Sequence, residues 1–178
     1  TLQYIFEYQS MISELNGMEC TNASMYDGAT ATAEAMFMMV ASAKKKNRVV
    51  ISATVADRVI NVVKTYAKFR GIDLTVAPEK DGITDFDAIK AELEAGDVAG
   101  VIVATPNKYG IVEDYTGYAD TIHAAKGMLA INADPSALAV LRTPKEWGAD
   151  IACGDGQSLG MPLCFGGPYL GYMSCSSA

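Results

Sequence analysis

The chain has 178 residues, half of them hydrophobic and a fifth charged, and a net charge of −7. This is a globular composition rather than a disordered one, long enough to bury a core of its own. The only basic cluster is Lys44–Lys46, which argues against nucleic acid as the main partner, since such domains carry a basic face.

Leu2 to Asn16 has apolar side chains at helical spacing and Gly17 as a stop, predicting a helix. Met18 to Ala23 reads as a short strand, and Ser24–Gly28 as a turn in which Asp27 or Ser24 caps the Ala-rich helix Ala29 to Ala43. Lys44–Lys46 falls at that helix's end, where cations are favoured, and is expected to be a solvated terminus. The chain then alternates. Strands are expected at Arg48–Ile51, Leu74–Val76, Val98–Ala104, Met128–Ala133, Ile151–Cys153 and Tyr169–Met173. Helices are expected at Ala56–Arg70, from Thr84 to about Leu93 with Asp87 as a capping-box partner, and at Tyr115–Ala125, with a helical turn at Pro144–Gly148. Short apolar strands separated by helices predict an α/β fold, mainly a parallel sheet with helices on both faces. Ligands of such sheets sit at the carboxyl ends of the strands. That directs attention to the loops Ser24–Thr30, Thr105–Gly110, Asp134–Leu138 and Gly154–Gly167.

Cys20, Cys153, Cys164 and Cys175 include no CxxC pair, and there is one histidine, His123. Buried, reduced thiols are expected rather than a zinc site. No membrane span or signal peptide is visible, so the expected setting is the cytoplasm. The chain opens on Thr1 within a helical pattern and closes just after a strand, and both ends read as cut, so residues 1–178 are expected to be a single, truncated domain.

The longest unusual stretch is Gly154–Gly171, rich in glycine yet punctuated by Leu159, Met161, Leu163, Phe165 and Tyr169. An ordered loop is expected, with glycines where something packs against the backbone and apolar side chains to bury. The helix entered at Thr30 could bind an anion through its first amides, but Asp27 beside them would occupy or repel that position. Asp134, at the end of a central strand, has the placement of an acid that pairs with a protonated ring nitrogen; a plain turn is the alternative. His123, near the end of its helix, is expected to be structural. A pyridoxal phosphate enzyme needs a lysine for its Schiff base. None follows Lys145, and Lys108 is the only one on a loop facing the strand ends.

Thr1–Met18, Asn22–Ala31, Glu146–Asp150, Gly154–Gly160 and Phe165–Gly171 together resemble the P-protein of the glycine cleavage system, and more narrowly the first (alpha) subunit of its split form. The resemblance covers essentially the whole chain. It implies the large domain of a fold-type-I pyridoxal phosphate transferase-like enzyme, without an N-terminal segment and a small C-terminal domain. It also implies an enzyme, an oxidoreductase assembled as a heterotetramer, that decarboxylates glycine and passes the aminomethyl group to the lipoyl arm of H-protein. In that family the homologous beta subunit carries the Schiff-base lysine, with prolines five and eleven residues beyond it. On this chain Gln157 takes the lysine position, while Pro162 and Pro168 keep the spacing. The resemblance therefore implies a non-catalytic half, with no catalytic residue and a pseudo-site rimmed by Ser24, Thr30, Asp134 and Gln157. Pyridoxal phosphate would be held on the partner subunit, and the glycine-rich loop would pack against that partner. The rival readings are another fold-type-I enzyme anchoring its cofactor on Lys108, and a scaffold module unrelated to glycine.

Overall fold

A computed structural model describes residues 1–177, so the last residue of the expected domain lies outside it. The elements are α1 (Leu2–Asn16), β1 (Cys20–Thr21), α2 (Gly28–Ser42), β2 (Arg48–Ser52), α3 (Asp57–Arg70), β3 (Asp73–Ala77), β4 (Glu79–Lys80), β5 (Ile83–Thr84), α4 (Phe86–Leu93), β6 (Val98–Thr105), α5 (Tyr118–Ala124), β7 (Met128–Ala133), β8 (Ile151–Asp155) and β9 (Gly171–Cys175). Seven strands form one sheet in the order β1-β9-β8-β7-β6-β2-β3. The run from β3 to β8 is parallel throughout. Only β9 is reversed, pairing antiparallel with both β8 and β1. The segment between β8 and β9 holds just a 3-10 turn, Gly156–Leu159, and no crossover helix, so the chain can return only in the opposite sense.

The sheet is covered on both sides, as the alternation of strands and helices predicted. Val50, Val101, Val103, Leu129 and Ile131 point toward a layer holding Ile12 of α1, Ile89 of α4 and Ile122 of α5. The alternate residues Val49, Ile51, Ile102, Ala130 and Ile151 point toward Met36 and Met39 of α2 and Val59, Ile60 and Val63 of α3. All eight residues of β6 are buried, which explains its unbroken apolar run. Each fully buried aliphatic side chain contributes about 1.5–3 kcal/mol.

Several local expectations are corrected. Thr84 lies in β5, its hydroxyl 2.8 Å from Ser52 Oγ, and Asp85 caps α4 instead, accepting from the Ala88 amide. Asp87 pairs with Lys90 and takes no part in the cap. α5 begins at Tyr118 rather than Tyr115, because the Tyr115 ring turns into the core and its hydroxyl donates to Ala104 O at 2.6 Å. Lys44 and Lys45 are exposed as expected, but Lys46 is half-buried and its ammonium donates to the carbonyls of Val98, Ala125 and Lys126. Of the cysteines, only Cys153 is fully buried; Cys20 and Cys164 are exposed and Cys175 is half-buried. Within the glycine-rich stretch, Leu159, Leu163 and Phe165 face solvent in this chain rather than a core. Among the described residues no group of three or more His, Cys, Asp or Glu could hold a metal, and no helix is long and apolar enough to cross a membrane.

Candidate functional site

The carboxyl ends of β7 and β8 and the amino end of α2 converge on one side of the sheet. There α2 starts with a reciprocal cap. Asp27 Oδ1 accepts from the Thr30 amide at 2.7 Å and from the Thr30 hydroxyl at 2.8 Å, and the Thr30 hydroxyl accepts from the Asp27 amide. A second carboxylate arrives from the end of β8, where Asp155 Oδ2 accepts from the Gly28 amide at 3.1 Å. Its other oxygen accepts from the Gln157 amide at 2.9 Å and fixes the 3-10 turn that follows β8. Two of the first three amides of α2 are thereby bound to carboxylates. Gly28 permits this contact: a Cβ there would stand 2.8 Å from both Asp155 N and Gly154 C.

Asp134 lies at the end of β7 and closes a tight turn, accepting from the Ser136 amide and hydroxyl and from the Ser158 hydroxyl at 2.7 Å. Burial pushes its carboxyl up, but the hydrogen bonds from Ser158 and Ser136 outweigh that and hold it below the ordinary value. Gln157 is half-buried, and its side-chain amide packs beside Gly167, where a Cβ would come within 2.9 Å of it. Ser24 is exposed and contributes its carbonyl to Asn22. Hydrogen bonds thus link Asp134 to Ser158, Gln157 to Asp155, Asp155 to Gly28, and Asp27 to Thr30; Ser24 stands outside these contacts.

The concave space adjoins these residues but is lined by others. A cavity of about 190 Å³ is bounded by Asp27, Gly28, Arg58, Asn132, Asp155 and Tyr169, with Val59 and Val62 behind. Asn132 donates to Thr32 Oγ1 at 2.7 Å, and Thr32 lies 3.6 Å from the Cys153 sulfur. Burial pushes the Cys153 thiol up to about 11, so it stays protonated and inert. None of Ser24, Thr30, Asp134 and Gln157 lines this cavity. Sequence reasoning missed Arg58, Asn132, Asp155 and Tyr169, although three carry a signal. Arg58 is a cation in the first turn of a helix, where the dipole disfavours it. Asn132 is polar inside an apolar strand, and Asp155 opens an Asp-Gly pair at a strand end. Lys108 lies elsewhere: its ammonium is 3.5 Å from Asp57 and 3.3 Å from Glu79. His123 Nε2 is 2.8 Å from Asp150 Oδ2, which also accepts from the Leu129 amide, a structural tie between α5 and the start of β8.

The family described as "Glycine cleavage system P-protein" matches residues 1–178. The chain belongs to the glycine cleavage system P-protein family. A probable glycine dehydrogenase (decarboxylating) subunit 1 from Syntrophomonas wolfei is 45% identical over 98% of this chain and 40% of its own length. A crystal structure of glycine decarboxylase (P-protein) of the glycine cleavage system, in inhibitor-bound form, superposes with a TM-score of 0.91 at 40% identity, over 99% of this chain and 39% of that one. Alanine–glyoxylate aminotransferase from Nostoc sp. shares the fold at 16% identity, with a TM-score of 0.70, over 99% of this chain and 45% of that one. The architecture is that of the fold-type-I pyridoxal phosphate enzymes. The chain spans about two fifths of the length of the P-protein relatives it matches.

The residues of this P-protein chain do not fit pyridoxal phosphate. A dianionic phosphate placed at the start of α2 would meet two carboxylates already bound to its amides. The cation among the cavity-lining residues is Arg58, whose guanidinium cannot serve as a Schiff-base amine.

Proposed function

We propose that the chain is the large-domain portion of P-protein subunit 1, and that it is the non-catalytic half of the enzyme that decarboxylates glycine and delivers the aminomethyl group to the lipoyl arm of H-protein. The observation that carries this reading is the double carboxylate cap on α2, Asp27 on Thr30 and Asp155 on Gly28, which fills the anion position from within the chain. Pyridoxal phosphate then belongs to a homologous, lysine-bearing partner subunit in a cytoplasmic heterotetramer. In this reading Thr30, Asp134 and Gln157 lie around the pseudo-site with no catalytic residue among them, while Ser24, exposed and bonded to Asn22, stands apart from it.

The exposed apolar side chains support a structural role. Tyr26 is 88% exposed and Leu163 76%, and Phe165 is fully exposed; all three lie on the two loops that flank the pseudo-site. Large apolar side chains left this exposed on loops beside one site suit a contact surface, and the lysine-bearing subunit is the partner proposed for it. Co-expression tests the proposal. Exchange between the glycine carboxyl and carbon dioxide should be absent with this subunit alone and present when the lysine-bearing subunit accompanies it. Exchange by this subunit in isolation would overturn the reading.

A further inference from the structure

We propose that Cys20 and Cys175 form a reversible disulfide that staples β1 to β9 at the edge of the sheet, closed by thiol–disulfide exchange with a low-molecular-weight disulfide such as glutathione disulfide. The two residues are direct partners in the antiparallel β1–β9 ladder. The Asn22 amide donates to Met173 O at 3.1 Å, which marks that pair as a hydrogen-bonded one. Two residues further along, Cys20 and Cys175 are again such a pair, for which α-carbons stand about 5.5 Å apart, within the roughly 4.4–6.8 Å that disulfides span.

Side chains directly opposite each other share a face and reach one another. The pair between these two is of the closer, non-hydrogen-bonded kind, and its Thr21 and Ser174 hydroxyl oxygens are 2.8 Å apart. They point toward α1, where Ser13 Oγ is 2.7 Å from Thr21 Oγ1. Cys20 and Cys175 therefore point the other way, and Cys175 packs against the layer that contains α2. Burial, then the nearby Cys20 and Glu19, raise the Cys175 thiol above its ordinary value, which casts it as the second thiol to react. Cys20 is exposed on the edge strand and open to attack from solvent. Glu19, beside it, is tied to the Ser177 amide at 2.7 Å and lies 3.4 Å from Lys145 Nζ. Cys153 is fully buried and takes no part.

The chemistry balances in two displacements. The Cys20 thiolate attacks one sulfur of glutathione disulfide, its S–S bond breaks, and a glutathione thiolate leaves with the electron pair. The Cys175 thiolate then attacks the Cys20 sulfur of the mixed disulfide and expels the second glutathione thiolate. Two protein thiols are oxidised, one glutathione disulfide is reduced to two glutathiones, and the protons lost by the cysteines go to the leaving thiolates. The bond joins the strand that leads into Asn22–Thr30 to the strand that leaves Gly154–Leu170, so it ties the two loops at the pseudo-site to one frame.

The purified chain is equilibrated with glutathione disulfide, alkylated, digested without reductant and mapped by mass spectrometry. A Cys20–Cys175 linked peptide should form, disappear in excess reduced glutathione, and form equally in a Cys164→Ser variant. Closure should also raise the midpoint of thermal unfolding, and dithiothreitol should reverse the rise. Recovery of Cys20 only as its glutathione adduct, a Cys20–Cys164 link in place of Cys20–Cys175, or alkylation of both residues after full equilibration would each overturn the proposal.

Discussion

Asp155 and Gly28 lie 127 positions apart in the chain, yet the carboxylate of one accepts a 3.1 Å hydrogen bond from the amide of the other. This contact fixes the end of β8 to the start of α2 and closes the anion position from inside the molecule. Replacing Asp155 by Ala frees the Gly28 and Gln157 amides, and the expected loss is about 1–3 kcal/mol. Asp27→Ala removes the other cap and should cost about 1 kcal/mol. Both act on one helix terminus, so the double variant should depart from additivity by at least about 0.5 kcal/mol. Chemical denaturation of the four proteins measures it.

Gly28 is required by space. A Cβ would press on the backbone of Gly154 and Asp155, which cannot move as a side chain can. Gly28→Ala should therefore destabilise by about 1–3 kcal/mol, and its thermal midpoint should fall accordingly. An unchanged midpoint would contradict the close packing of α2 on β8.

Tyr115 gives an alkaline prediction. Burial, with Glu113 nearby, raises its phenol well above the ordinary value of 10.0. A group that holds its proton more tightly when folded contributes stability that is complete below the unfolded pKa and is lost as pH rises beyond it. Stability should fall above about pH 10, and the fall should be shallower in Tyr115→Phe. That variant also leaves Ala104 O without its donor, at a cost near neutral pH of about 1–3 kcal/mol.

Much of the fold was legible because the strands are continuous apolar runs and the helices carry apolar stripes ended by Gly17 and Gly71. The β4–β5 hairpin went unread although Asp81-Gly82 is a strong two-residue turn signal, with positive φ at both positions. The reversal of β9 and the inward turn of Tyr115 depend on which surfaces meet, and local pattern does not encode that. The same holds at the candidate site. The sequence offered Asp27 or Ser24 as the cap of α2, and the structure assigns it to Asp27, bonded to Thr30. The roles of Asp155, Asn132 and Arg58 were not legible, because each is set by partners distant in sequence.

The exposed side chains of the glycine-rich loop carry a prediction about assembly. Phe165→Ser combined with Leu163→Ser should leave the thermal midpoint of the chain nearly unchanged, since both side chains already face solvent. The same pair should weaken association with the lysine-bearing subunit by tenfold or more, as expected for apolar anchors worth about 1.4 kcal/mol or more together. Sedimentation of the mixed subunits reads the second effect.

The most direct test of the account is where pyridoxal phosphate becomes attached. The assembled enzyme, loaded with the cofactor, is reduced with borohydride and digested, and the pyridoxyl-bearing peptide is sequenced. The account predicts the label on a lysine of the partner subunit and none on this chain. A pyridoxyl group on Lys108, or on any other lysine of this chain, would contradict it.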